Sequence, residues 1–388
     1  MNVLIITPYA EPEKGAAVVR VNAFREYFTG KGAKVSVFAP KRGMVPELNG
    51  VKRYSGLFEL MKIVFSGKFD VIIGTSPPIT HNFFALLAGK VSGKRFFLDA
   101  KDPFTEVMKK LEPQRSKGIK FRFFEFIEWC THKFSDRVIF LNKPYLENAV
   151  KRFSLDGKKV FLAPNGSDTK KIFFSEKERK ALREKLVLKD SPTIIFVGGT
   201  GDKDLLGFVE KSFPELSKKT GAKTVLVLSY EGAEAQSKVV GGIKKIASEK
   251  GIENELKIAF NAEFSELHKY LSACDVGLVA YPDFEMQVVG AKVFDYIAAG
   301  LPVAAKASKG NSVLKEFVEE NKIGFFCSDW GEFNRQFIRN FGGKNFNGKT
   351  FSGKDFARKK IMEAANENSR EKGCEKVFSE MKIVLGEK

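Results

Sequence analysis

The chain has 388 residues, 43% of them hydrophobic, with 65 Lys and Arg against 47 Asp and Glu. That length suits two α/β domains rather than one core, and that apolar content excludes a disordered chain. The four cysteines, Cys130, Cys274, Cys327 and Cys374, stand far apart, which excludes a Cys-x-x-Cys redox pair or a zinc spacing and suits reduced thiols in the cytoplasm.

The charge is uneven. Residues 1–164 hold 28 Lys and Arg against 15 Asp and Glu, and the remainder holds 37 against 32. A basic first half attracts phosphates, an anionic membrane or nucleic acid alike. No apolar run reaches the roughly 20 residues of a membrane span. Met1 leads straight into Val3-Leu4-Ile5-Ile6 without a signal-type basic segment. Any work on lipid is therefore expected at the surface of a membrane.

Short apolar runs alternate with helical patterns along the chain. Strands are predicted at Val3–Thr7, Lys34–Phe38, Val71–Thr75, Arg95–Asp99, Val138–Leu141 and Val160–Leu162, with helices such as Ala16–Phe28 and Thr80–Lys90 between them. The rhythm pauses at Ala163-Pro164-Asn165-Gly166-Ser167-Asp168, which is turn chemistry, and a charged helix is expected over Ser175–Lys189. It resumes with Thr193–Val197, Thr224–Leu228, Leu256–Phe260, Val276–Ala280, Pro302–Ala305 and Ile323–Phe326. Alternation of this kind predicts two α/β units with mostly parallel sheets, covered on both faces. The expected division is residues 1–168 and 169–371, with a final helix over about 372–388 crossing back onto the first unit. Ligands of such sheets bind beyond the carboxyl ends of the strands, so two facing units imply a cleft there.

Several loops at predicted strand ends have the chemistry for a ligand. The first strand runs into Thr7-Pro8-Tyr9 and reaches Gly15-Ala16-Ala17 before a helix, without the full G-x-G-x-x-G dinucleotide pattern. The second unit opens with Gly198-Gly199-Thr200-Gly201-Asp202-Lys203, where glycines and a cation suit a diphosphate or simply a tight turn. It lacks the Gly-Lys-Ser/Thr ending of a P-loop. The stretch from Gln287 through Gly290, Ala291, Lys292 and Asp295 to Gly300-Leu-Pro302 places a helix between Gly290 and Gly300. Asp295 in that apolar helix requires a partner, either a ribose diol or Lys292 on the same face. In the first unit, Asp102 of Asp99-Ala-Lys-Asp102-Pro103 is placed to orient or deprotonate a hydroxyl, or to make a turn before proline. His81 after Ser76-Pro77-Pro78 suits an acceptor contact or a helix start.

Lys117–Phe134 reads as an amphipathic helix. At about 100° per residue, Ile119, Phe123, Phe126, Ile127, Cys130 and Phe134 share one face, expected to be core. Phe121, Arg122, Phe124 and Trp129 fall elsewhere, among Lys117, Lys120 and Lys133. Aromatics and cations outside the core stripe suit a membrane interface or a neighbouring loop. With the basic first half, docking on an anionic membrane through Phe121, Arg122, Phe124 and Trp129 is the expectation.

The ordered set of motifs resembles glycosyltransferase family 4, a group of retaining enzymes of GT-B fold. The set comprises the Gly15 loop, Ser76-Pro77-Pro78, Leu98-Asp99-Ala-Lys-Asp102-Pro103, Ser135-Asp136-Arg137-Val138-Ile139 and Ala163-Pro164-Asn165-Gly166. It continues with Phe196-Val197-Gly198, Ser272-Ala273-Cys274-Asp275-Val276-Gly277-Leu278 and the stretch Gln287–Val303. The resemblance implies two Rossmann-like domains with the second holding a nucleoside diphosphate sugar, UDP by default, and no further cofactor or metal. It implies that the position of Gln287, Glu in the family, touches the donor sugar and that Asp295, also Glu in the family, grips the ribose. Gly199 stands where the family carries Arg, Lys203 lies near its Lys, and Lys292 matches a Lys of the amino-sugar transferase branch. Catalytic roles therefore fall to Asp102, Lys203 and Lys292, with Gly15, Gly198, Gly199, Gly290 and Ala291 lining the donor. The acceptor is expected to be a lipid-linked or cell-surface glycan, met by His81 and Asp102, and the location cytoplasmic at the membrane. The changed Glu positions also fit a subunit that binds without transfer. Nucleic acid is not an expected partner, since no basic helix, RNA-binding motif or zinc finger accompanies the charge.

Overall fold

The structure is a computed structural model that describes residues 1–43, 50–199, 203–229, 233–282, 287–342 and 357–387, the side chains of 203 and 233–237 excepted. It divides into two compact units, residues 1–165 with 370–388, and residues 166–369.

The first unit is built on seven strands: β1 (Asn2–Ile6), β2 (Lys34–Pro40), β3 (Val51–Tyr54), β4 (Val71–Ser76), β5 (Arg95–Ala100), β6 (Arg137–Phe140) and β7 (Val160–Leu162). All neighbours pair in parallel, in the order β3-β2-β1-β4-β5-β6-β7. Its helices are α1 (Ala16–Gly30), α2 (Leu57–Ser66), α3 (Ile79–Val91), α4 (Phe104–Leu111), α5 (Ile119–Phe134) and α6 (Lys143–Phe153). Side chains alternate across the sheet: Val3 and Ile5 pack with Phe24 and Phe28 of α1, whereas Leu4 and Ile6 share a core with α2, α3 and α6. β3 escapes the periodicity because Val-Lys-Arg-Tyr is half charged. It is an edge strand in which Arg53 is buried by hydrogen bonds to the Ala10 and Glu11 carbonyls.

The second unit holds β8 (Thr193–Gly199), β9 (Lys223–Ser229), β10 (Leu256–Phe260), β11 (Val276–Ala280), β12 (Val303–Lys306) and β13 (Gly324–Cys327), parallel in the order β10-β9-β8-β11-β12-β13. Helices α7 (Glu176–Lys185), α8 (Lys203–Gly207), α9 (Phe213–Thr220), α10 (Ala233–Lys250), α11 (Leu267–Ala273), α12 (Ala291–Ala298), α13 (Ser312–Glu320), α14 (Trp330–Phe341) and α15 (Arg358–Glu367) surround it. One core joins Ile195, Val279 and Val303 to α11, α12, α13 and α15, and the other joins Ile194, Phe196 and Leu278 to α8, α9, α10 and α14. The last helix, α16 (Arg370–Leu385), returns to the first unit. Its Cys374, Val377 and Met381 complete the core around Phe24 and Phe28.

Both sheets reverse their strand order at one place, between β1 and β4 and between β8 and β11. On each side of the reversal the chain leaves for opposite faces of the sheet, α1 against α3 and α8 against α12. A crevice at the carboxyl ends follows from that divergence.

Helix α5 differs from its predicted orientation. Ile127 and Cys130 are buried, but Ile119 is 89% exposed, and Phe123, Phe126 and Phe134 are exposed as well. Phe121, expected at a membrane, is buried, and Phe124 packs edge-on against Phe104. Hydrophobicity alone misplaces the face because the buried side is partly polar. Glu128, Thr131 and His132 lie inside, where Thr105 Oγ1 donates to the Glu128 carboxylate and Arg152 Nη2 sits 3.3 Å from it. Burial pushes the Glu128 carboxyl upward against those two partners. His132 Nδ1 meets the Glu128 carbonyl at 2.8 Å, and its ring stacks on Phe153 at 4.4 Å.

Burial, aided by Arg152, lowers the His132 pKa to about 4. The unfolded chain takes up this proton first as pH falls, so the contribution is complete above about pH 6.5 and is lost on the way to about pH 4. Acidifying from pH 7 to pH 5 should therefore cost the native protein about 2 kcal/mol more than a His132→Leu variant, because the other groups cancel in the difference. Denaturation curves of both proteins at both pH values test this, and parallel losses would contradict a neutral His132.

Candidate functional site

Several ligand-type groups gather beyond the carboxyl ends of β8 and β11. Lys292, in the first turn of α12, sets its ammonium 4.1 Å from the centre of the Phe196 ring and 5.8 Å from that of Tyr281. The same ammonium lies against Gly198, where an added Cβ would come within 3.1 Å of Nζ and 2.9 Å of Phe196. Gly198 is thus small because a cation and a ring close over it. At the other end of the cluster, Gly290 precedes α12 in extended conformation and, as glycine, brings no side chain of its own to cap the helix. A Cβ on Gly290 would meet the Tyr281 hydroxyl at 2.0 Å. One aromatic residue therefore touches both the start of α12 and the cation beside it. First-turn amides and an ammonium are the means by which proteins hold phosphate.

Asp295 lies one turn further along α12 and is buried. Gln287 reaches to the start of α13: its Nε2 donates to the Gly310 carbonyl, and its Oε1 accepts from Ser312 Oγ at 3.2 Å and Val313 N–H at 3.3 Å. Gly199 ends β8 and Ala291 opens α12. Residues 200–202 and the side chain of Lys203 lie outside the described residues.

Two groups went unanticipated in the sequence. Lys306, at the end of β12, is buried with its ammonium 2.8 Å from Asp204 Oδ2 and over the Trp330 ring at 5.4 Å. A lysine closing the apolar run Val-Ala-Ala is the signal that marks it. Tyr281 directly follows β11, and an aromatic at a strand end reads as core until Gly290 is seen beside it.

In the first unit, Gly15, His81 and Asp102 all follow carboxyl ends of strands, those of β1, β4 and β5. Gly15 stands before α1 with φ of 124°, a conformation that favours glycine. His81 Nδ1 is 2.8 Å from the Tyr54 hydroxyl, and burial with the nearby Arg42 lowers its pKa, keeping the ring neutral. Asp102 is open to solvent at its edge yet hemmed in by protein; that crowding raises its carboxyl, Lys101 opposes the rise and Asp99 adds to it. Asp99 itself is fully buried and gripped by Arg20 at 2.8–3.2 Å, while the same guanidinium donates to the Ala163 and Pro164 carbonyls. The Asp99-Ala-Lys-Asp102 motif therefore splits into a structural carboxylate and an accessible one.

No protein-family profile matches the chain, and no curated protein matches it. Solved structures do. Sucrose-phosphate synthase from Thermosynechococcus elongatus superposes with a TM-score of 0.73 at 16% identity over 99% of both chains. HepE from Anabaena, solved with UDP, gives 0.70 at 14% identity over 98% of this chain and 99% of its own. WaaG, a glycosyltransferase involved in lipopolysaccharide biosynthesis, gives 0.68 at 12% identity over 99% of this chain and 100% of its own. The chain thus has the two-domain GT-B architecture of these glycosyltransferases.

The contact between Gly290 and Tyr281 makes a double-mutant test. Gly290→Ala should destabilise the second unit by about 1–3 kcal/mol through overpacking. Adding Tyr281→Phe, which removes the clashing oxygen, should restore most of the loss. Denaturant unfolding of the four proteins reads this out, and simple additivity would contradict the geometry.

Proposed function

We propose that the protein is a glycosyltransferase whose second unit holds a nucleoside diphosphate sugar, UDP-linked as first choice. The observation that carries the reading is the Lys292 ammonium lodged against Gly198 beside the start of α12, at the point where strand order reverses. Departure of the nucleoside diphosphate leaves negative charge on its phosphates. Lys292 and the α12 amides are arranged to stabilise that charge, with Lys203 a further cation, so no metal is needed in this reading. Asp295 accepts from the ribose hydroxyls and Gln287 faces the sugar. HepE was solved with UDP, which supports the choice of nucleotide.

Asp102 serves the acceptor hydroxyl in this scheme. A carboxyl raised from its ordinary range is a better base near neutral pH than a free one. His81, neutral and held by Tyr54, lies on the same strand-end edge. Retention at the sugar follows the family resemblance. A second reading, donor binding without transfer, is favoured by Gln287, whose amide is occupied at the start of α13 and carries no charge. Donor hydrolysis by the purified protein decides between the two.

The acceptor is a lipid-linked or cell-surface glycan in this scheme, reached from the cytoplasmic face of an anionic membrane. Support comes from three helices of the first unit that turn aromatic and aliphatic side chains outward. These are Phe58 and Phe65 on α2, Leu87 and Val91 on α3, and Ile119, Phe123, Phe126, Trp129 and Phe134 on α5. Phe126, Trp129 and Phe134 form one exposed aromatic run, stacked at 6.2 Å and edge-on at 5.7 Å. Lys62, Lys117, Lys120 and Arg122 are exposed among them. The exposed acids nearby are tied locally: Glu59 accepts from the Ser55 N–H and Glu112 pairs with Arg115. An outward face of aromatics and cations suits an anionic bilayer better than a second copy, whose cations would repel. Phe121 and Phe124 leave the set of contacts, and Arg122 and Trp129 stay in it.

Calorimetry with UDP, ADP and GDP and their sugars tests the donor site. One of them should bind, and Lys292→Ala and Asp295→Ala should each weaken it about tenfold, the worth of one charge-assisted contact. No binding, or binding indifferent to both changes, would overturn the site. Co-sedimentation tests the surface. The protein should pellet with vesicles containing phosphatidylglycerol and not with phosphatidylcholine alone, and Phe126→Ser with Trp129→Ser should release it without unfolding. Equal recovery of wild type and variant would contradict the assignment.

A further inference from the structure

We infer that Tyr296 is a positioning residue of the diphosphate site: its hydroxyl fixes the end of β8, and with it Gly198, relative to the start of α12. The inference rests on the donor reading above. The ladder between β8 and β11 covers the pairs Ile194 with Val276 and Ile195 with Gly277. Each strand then runs on with its outer neighbour, β8 with β9 as far as Gly199 and Ser229, and β11 with β12 as far as Ala280 and Lys306. Past Ile195 and Gly277 the two inner edges diverge beyond their ladder.

Tyr296 fills that divergence. The Val197 N–H donates to its hydroxyl oxygen at 3.0 Å, and the hydroxyl donates to the Leu278 carbonyl at 3.0 Å. A hydroxyl has one proton and two lone pairs, so it serves both strands at once. The ring reaches them by lying directly on Gly277, where an added Cβ would come within 2.2 Å of it; any other residue at 277 would exclude the ring. Tyr296 is fully buried. Its place in the chain gives the bond its consequence. Val197 immediately precedes Gly198, on which the Lys292 ammonium rests, and Lys292 lies one turn before Tyr296 on α12. One oxygen therefore joins the glycine loop, β11 and the helix that supplies the cation. Without it the backbone groups of Val197 and Leu278 lose a partner at the mouth of the crevice. β8 is then free to shift against α12, so the spacing between Gly198 and Lys292 is no longer set. Such a shift affects the diphosphate and leaves the nucleoside contacts in place.

The test compares UDP with uridine on wild type and Tyr296→Phe, by calorimetry, with amide exchange followed by NMR. The variant keeps the ring. Its UDP dissociation constant should rise about tenfold while that of uridine stays within about twofold. Exchange at Val197 should be faster in the free variant. In the wild type, UDP should slow exchange at Val197 and uridine should not, a measurement that stands even where the variant fails to fold. Equal weakening of both ligands, an unchanged UDP affinity, or a Val197 amide indifferent to UDP would overturn this role alone. A wild-type protein that binds no nucleoside diphosphate would overturn the donor reading, and this role with it.

Discussion

Two neighbouring parallel strands whose chains leave for opposite faces of a sheet open a crevice beyond the end of their ladder. The second unit is organised by that constraint. β8 sends its chain to α8 on one face, and β11 leads to α12 on the other. Their ladder stops at Ile195 and Gly277, and the carboxyl ends open. What fills the opening is chemically economical. Tyr296 satisfies the backbone edges from within, and Gly198, Gly290 and Lys292 form the surface above. The first unit has the same reversal between β1 and β4, whose ladder runs to Ile6 at the end of β1, and there Gly15 and His81 follow the two strands.

Electrostatics assigns different work to residues of the same type. Lys306 and Lys292 both stand at strand or helix ends of one sheet. Lys306 is engaged by the Asp204 carboxylate and walled in by Trp330, which suits a fixed support for the start of α8. Lys292 rests on the faces of Phe196 and Tyr281, whose rings attract a cation. The carboxylates divide likewise. Asp99 is consumed by Arg20, whose guanidinium also holds the chain at Ala163 and Pro164, whereas Asp102, three residues on, keeps its edge to solvent.

Much of this could be read from the chain itself. Buried parallel strands are apolar runs, so twelve of the thirteen strands were marked by Val, Ile, Leu and Phe, to within about two residues. β3 was not, because an edge strand tolerates Lys52 and Arg53. The α12 helix between Gly290 and Gly300 was legible from its glycine punctuation. Helix α5 was legible but its buried face was not, since burial of Glu128 and His132 by hydrogen bonds turns much of its most hydrophobic stripe outward, a fact no periodicity of apolar residues encodes. Tyr296 is invisible for a related reason: in sequence it is one aromatic in an apolar helix, and only the strand divergence gives its hydroxyl a task.

A nucleoside diphosphate is expected to seat where β8 and β11 part. A crystal structure with UDP tests it most directly. The diphosphate is predicted within hydrogen-bond reach of Lys292 Nζ and the amides at the start of α12, beside Gly198. A diphosphate held on another edge of the second sheet, or on the first unit, would contradict the account.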